Sequence, residues 1–155
     1  MAKAENKSKF NVDKDKLQRT HENIVFDSVM EMKYFRDVVL PLWRSGYITA
    51  FELQKKYELQ AKYTHNGKTI LPITYVSDFY IEYWDGSCAV IDIKGFADSM
   101  AKLKRKMFWY IYPDLNYYWV CYSKIDGGWV DYDIVHKNRQ ERKKKKKQKI
   151  GFKGE

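Results

Sequence analysis

The sequence predicts an α/β (α+β) domain in which a mixed central sheet is flanked by helices in the order αβββαβ. Three observations lead there. Apolar residues recur at helical spacing from Val25 to Trp43, three runs rich in β-branched and aromatic residues follow, and a basic helical stretch then precedes one more strand-like run. A helix, three strands, a helix and a strand make a sheet with helices packed on it.

Residues 1–22 are charged and poor in apolar side chains, so a flexible basic N-terminal segment is expected there. The domain itself is expected over residues 23–136. Its first helix should begin near Asn23 and present Val25, Phe26, Val29, Met30, Phe35, Val38, Val39 and Leu42 along one side. Pro41 should kink or end it near the last turn, and Gly46 should close it. Residues 51–59 read as a strand. His65-Asn66-Gly67-Lys68 reads as a turn. Residues 70–84 read as one long strand with Pro72 near its start. Asp85-Gly86-Ser87 is a hairpin signal, and residues 88–94 form a short strand ended by Gly95. Residues 97–110 should be helical and stopped by Pro113, residues 116–123 a strand, and the stretch after Gly127-Gly128 a short helix. Residues 137–155 read as a lysine-rich tail, solvated or following a phosphate backbone, because like charges repel and nothing apolar is there to bury.

A chain of 155 residues with 45% apolar and 17% aromatic content can bury a core as one domain. Cys88 and Cys121 lie in apolar strand-like runs, outside any CxxC or Cys/His cluster, and read as small buried residues in a reducing compartment. No leader-like h-region is visible, and no apolar run approaches the ~18 residues of a membrane span. A cytoplasmic protein without membrane contact is therefore expected. The net charge of +9 points to nucleic acid. Candidate contacts are Lys102, Lys104, Arg105 and Lys106 on the second helix and Lys143, Lys144 and Lys145 in the tail.

The chemistry is concentrated around one hairpin. Phe79, Ile81 and Tyr83 alternate on its first strand, as do Ala89, Ile91 and Ile93 on its second. Alternate residues share a face. If both apolar sets face the core, paired residue numbers must sum to an even value, and Asp78, Asp92 and Lys94 gather on the other face. A two-residue turn at Asp85-Gly86 would pair Trp84 with Ser87 and send Asp78 to the wrong side. A three-residue connection or a bulge is therefore predicted. Close carboxylates repel, and a divalent cation such as Mg²⁺ or Mn²⁺ relieves this. Lys94 would orient a water or stabilise charge on a phosphate. A lone DxK is also a common surface feature. Glu31 has two readings. It fits a capping box with Ser28, or, in a helix that starts at Asn23, it sits beside the apolar face and points to the sheet.

Phe26-Asp27-Ser28-Val29-Met30-Glu31, Tyr75-Val76-Ser77-Asp78-Phe79 and Val90-Ile91-Asp92-Ile93-Lys94-Gly95, in that order, resemble the motifs of the PD-(D/E)xK nuclease superfamily over residues 24–123. Size and basic ends look like those of small phage endonucleases and Holliday junction resolvases, which implies the cytoplasm of a bacterial host cell as the protein's location. Ser77 stands where the superfamily name has proline. The resemblance implies a restriction-endonuclease-like core. It also implies Asp78, Asp92 and the Ile93 carbonyl as metal ligands, Lys94 as the water-positioning residue, and Glu31 completing the acidic cluster, with Gln54 as a further match. It implies a Mg²⁺- or Mn²⁺-dependent endodeoxyribonuclease acting on branched DNA as a homodimer. The alternatives are a nicking, restriction-like or transposition-associated endonuclease, and a nucleic-acid-binding protein without activity.

Overall fold

The computed structural model describes residues 16–151. It is α+β. A five-stranded mixed sheet carries helices on both faces.

The chain enters through a small hairpin, β1 (Thr20–His21) and β2 (Ile24–Val25). Glu22 and Asn23 form its two-residue turn, both with positive φ. The helix expected from Asn23 therefore starts later, as α1 (Val29–Tyr34), with Ser28 as its N-cap. Of the N-terminal segment expected to be flexible, residues 1–15 lie outside the described range. Residues 16–22 fold, and Arg19 donates to the Phe26 carbonyl at 2.7 Å.

A π-helical turn (Phe35–Val39) joins α1 to α2 (Leu40–Arg44), and Pro41 sits inside α2. Proline lacks the N–H that would reach the Asp37 carbonyl, and its ring crowds that carbonyl. The widened turn takes up the mismatch, with Leu40 N–H donating to Phe35. The helix runs on to Arg44, so Pro41 falls in its last turn, where the sequence placed a kink or an end.

The stretches read as strands 51–59 and 70–84 are each broken. The first is β3 (Ile48–Leu53) and β4 (Lys56–Gln60), separated at Gln54, whose φ is 54°. The second is β6 (Lys68–Ile70), β7 (Ile73–Val76) and β8 (Phe79–Tyr83), interrupted at Leu71-Pro72 and at Ser77-Asp78. β5 (Tyr63–His65) pairs with β6 across the expected turn, which is the two residues Asn66 and Gly67. β3 pairs with β8 in the main sheet, and β4 with β7 in a separate ribbon. One long antiparallel pair is therefore bent at mid-length. Gln54 N–H donates to the Asp78 carbonyl (3.3 Å) and Ser77 N–H to that of Lys55 (2.9 Å) across the bend.

β8 continues into β9 (Cys88–Ile93) through Trp84-Asp85-Gly86. Phe79↔Ile91 and Ile81↔Ala89 are partners, each pair summing to an even number, and Tyr83 N–H bonds the Ser87 carbonyl. This is the three-residue connection that parity requires, with Gly86 at φ 83°. α3 (Ser99–Ile111), capped by Asp98, crosses over to β10 (Asn116–Ser123), which lies parallel to β9. β11 (Gly128–Asp131) closes the edge, and the sheet order is β11-β10-β9-β8-β3.

α4 (Tyr132–Gly151) then runs through the lysine-rich segment that was expected to stay a tail. Lysine, arginine and glutamine are good helix formers. Buried Tyr132 and Val135 supply a packed first turn to extend from. Arg142 grips Asp126 with two bonds (2.8 and 3.0 Å), and Asn138 adds a third. Residues 152–155 lie outside the described range.

Two cores result. Phe26, Phe35, Val39, Phe79, Ile81 and Ile91 fill the space between the first helices and one sheet face. Phe108 of α3 is ringed by Tyr57, Tyr75, Tyr112 and Tyr117 at 4.6–5.6 Å on the other. Both faces of β9 are covered, which makes the even-numbered face buried as well.

Candidate active site

Asp92 points to the α3 face of β9 and is 5% exposed. Asp78 lies directly opposite in the register that pairs Phe79 with Ile91. There β7 leaves the main sheet to join β4, so Ile93 has no strand partner on that side. Asp78 takes its place, and Asp78 Oδ2 accepts the Ile93 N–H at 2.6 Å. In an extended strand the N–H and C=O of one residue point the same way. The Ile93 carbonyl is thereby aimed to the Asp78 side of the strand. Lys94 N–H bonds the Val120 carbonyl (2.8 Å) on the opposite side, which fixes the end of β9. The Lys94 ammonium forms an ion pair with Asp92.

Glu31 joins them from α1. Ser28 Oγ accepts from Glu31 N–H at 3.1 Å and donates to Glu31 Oε1 at 2.7 Å. Ser28 starts the helix, as the capping reading expected; the helix from Asn23 that the other reading assumed is not formed, yet the Glu31 carboxyl is buried and feels the charge of Asp92. Gln54 donates to Glu31 Oε2 at 3.4 Å, carried there by its left-handed backbone at the bend. The carboxyls feel each other. Burial first, then the charges of Asp92 and Glu31, lift the Asp78 carboxyl to about 9, against the pull of the Ile93 N–H. Burial also raises Glu31, with Asp27 and Asp92 adding to it and the Ser28 hydroxyl opposing it.

Among the described residues, no three or more His, Cys, Asp or Glu side chains form a ready-made cation cluster. Instead, two opposed carboxylates and a carbonyl lie at one strand end. That donor set suits a hard cation that retains waters and takes substrate oxygens. Asp92 Oδ2 is buried and takes no hydrogen bond of normal geometry, although Lys94 faces it.

The basic candidates divide. Lys102 and Lys106 are exposed on α3, whereas Lys104 donates to the Thr74 carbonyl at 2.8 Å. Arg105 pairs with Asp133 at 2.8 Å and stacks on Trp119 at 3.7 Å. The four do not share one solvated face. Lys143, Lys144 and Lys145 are exposed on α4. Two site neighbours escaped the sequence reading. Arg139, exposed on α4, lines a cleft of about 220 Å³ with Met30, Lys94 and Gly95. Tyr75 is buried with its hydroxyl lacking a well-formed hydrogen bond, close enough to Asp92 and Asp78 for their charges to raise its pKa after burial does. Arg139 was hidden in the lysine-rich run, and Tyr75 lies across the break that the long-strand reading ignored.

The molecule is thus an α+β protein with a buried acidic cluster and one lysine where two strands part. It belongs to the family described as "Protein of unknown function (DUF1064)", which it matches over residues 7–126, a span that includes every residue of that cluster. β11 and α4 lie beyond the match. No curated protein and no solved structure matches the chain. No helix among the described residues is long and apolar enough to cross a membrane.

Proposed function

We propose that this protein is a Mg²⁺- or Mn²⁺-dependent endodeoxyribonuclease of the PD-(D/E)xK type that cuts branched DNA in the manner of a Holliday junction resolvase. One observation carries the reading: Asp78 opposes Asp92 where the strands separate, with Lys94 paired to Asp92 and Glu31 brought in from α1. The topology supports it. A helix, then the antiparallel set β3-β8-β9, then a crossover helix to parallel β10 is the order of a restriction-endonuclease-like core. Asp78, Asp92 and the Ile93 carbonyl would hold the ion, which supplies a polarised phosphate and a more acidic water. Lys94 stabilises charge on the phosphate oxygens. Glu31, held by Ser28 and Gln54, keeps the acidic side of the site in place. The net charge of +9, with Lys102, Lys106 and Lys143 to Lys147 exposed, suits a polyanionic substrate. A homodimer would place two such sites on two strands of a junction.

A second reading, a nucleic-acid-binding protein without activity, draws on the Asp92–Lys94 ion pair and the lack of a ready-made cation cluster among the described residues. Labelled four-way junction, linear duplex and single-stranded DNA, each incubated with Mg²⁺, Mn²⁺ or chelator, separate the two. Metal-dependent junction cutting that drops at least about 100-fold in Asp92→Ala and Lys94→Ala is expected. Cutting of linear DNA alone would remove the junction from the proposal. Tight binding with no cleavage under either metal would establish the second reading.

A further inference from the structure

A cavity of about 430 Å³ opens directly beside the acidic cluster. Asp92 and Lys94 are among its charged lining, the buried Tyr75 and Trp119 make its floor, and the exposed Phe96 and Met100 its mouth. Its volume falls within the range of small-ligand pockets. Phe96 is 69% exposed and Met100 57%, although both flank a site of buried charge. The connection between β9 and α3 is short, and Phe96 joins neither core. Its side chain is offered to solvent on the same cavity that Lys94 lines.

A ligand that fills this space needs a planar apolar part for Phe96, Met100 and the aromatic floor, and an anion for the lysines of its wall, Lys104 and the Lys94 that Asp92 already pairs. A nucleotide has both. A base inside a duplex cannot reach the pocket, because its faces are covered by its neighbours and its edge by its partner. Only an unstacked base can enter. We infer that this cavity binds the base of an unpaired nucleotide whose phosphate lies at Asp92 and Lys94, so that the protein selects single-stranded or branch-point DNA. The inference rests on the nuclease reading for the place of the phosphate. The pocket itself can be tested without cleavage.

Fluorescence anisotropy in chelator would compare single-stranded and duplex oligonucleotides on the full chain, Phe96→Ala, Met100→Ala and Phe96→Trp. Both side chains are exposed, so the variants are expected to fold, and melting curves verify it. The parent should favour the single strand. Phe96→Ala should lose about tenfold on the single strand, the scale of one base stacked on an aromatic ring, and nothing on duplex. Phe96→Trp should restore the preference. An equal loss on both substrates, or no loss, overturns the pocket, and no loss leaves the patch to a protein partner. Cutting of the same DNAs with Mg²⁺ reads the nuclease separately. Selective binding without cutting sinks the nuclease and keeps the pocket; cutting with unselective variants does the reverse.

Discussion

At the residue scale, Asp78 has the most exposed consequence. Its folded-state value, about 9, lies above the ordinary 3.8. Between those values the metal-free folded protein holds a proton that the unfolded chain has released. The resulting stabilisation is complete below the ordinary carboxylate range and is lost as pH rises through about 9. Asp92, Glu31, Lys94 and the Tyr75 hydroxyl are the charged and titratable groups around it. Thermal melts in chelator should therefore show Tm falling from mildly acidic to alkaline pH. Asp78→Asn keeps an oxygen for the Ile93 N–H and removes the charge. It should flatten that slope and raise the alkaline Tm by roughly 2–8 °C, the effect of one or two kcal/mol in a domain of this size. An unchanged slope would show that the carboxyl is ionised at neutrality. Much of the placement at this candidate site was legible in the sequence, because period-two alternation on two adjacent strands, joined by a three-residue connection, puts Asp78, Asp92 and Lys94 on one face. The burial of that face was not legible. It depends on Phe108 and the bent ribbon arriving from elsewhere in the chain.

At the element scale, the bend at Gln54 and Ser77-Asp78 and the helix at the C-terminus were the features the sequence hid. Odd-numbered apolar residues resume in phase beyond both break points, at Tyr57 and Leu59 and at Phe79 and Ile81, so periodicity alone joins β3 to β4 and β7 to β8. In α4 the lysines suggested repulsion, but Arg142 and Asn138 anchor the element to Asp126, which lies outside it. Asp126 is held well below the usual carboxylate range by Arg142 first, then Ser123 and Asn138. A depressed value means that the anchoring is present above the ordinary range and lost as pH falls through the lowered one. Asp126→Ala should release the helix. Hydrogen exchange over residues 137–148 should quicken while the amides of β9 stay protected. Equal protection in parent and variant would place the anchor in Tyr132 and Val135 alone.

At the scale of the whole molecule, α+β with a mixed sheet was readable because strand–helix–strand order after residue 88 demands a parallel neighbour. Charge is the other whole-molecule property. If α4 follows a phosphate backbone, replacing residues 143–147 with glutamine keeps a good helix former and removes five positive charges. The slope of log K against log salt should then shallow by about 0.7–0.9 for each lysine that touches a phosphate. A slope equal to the parent's would assign the helix a role apart from DNA.

The three-residue connection Trp84-Asp85-Gly86 has a consequence for how sequences of this kind can drift. Losing or gaining one residue there would shift the phase of one strand against the other and turn Asp92 away from Asp78, unless a bulge absorbed the change. Losing or gaining two would preserve the phase. Length variation at this hairpin is therefore quantised. Viable insertions and deletions should come in even steps, a rule that a library of hairpin lengths screened for folding and binding would expose without reference to any substrate.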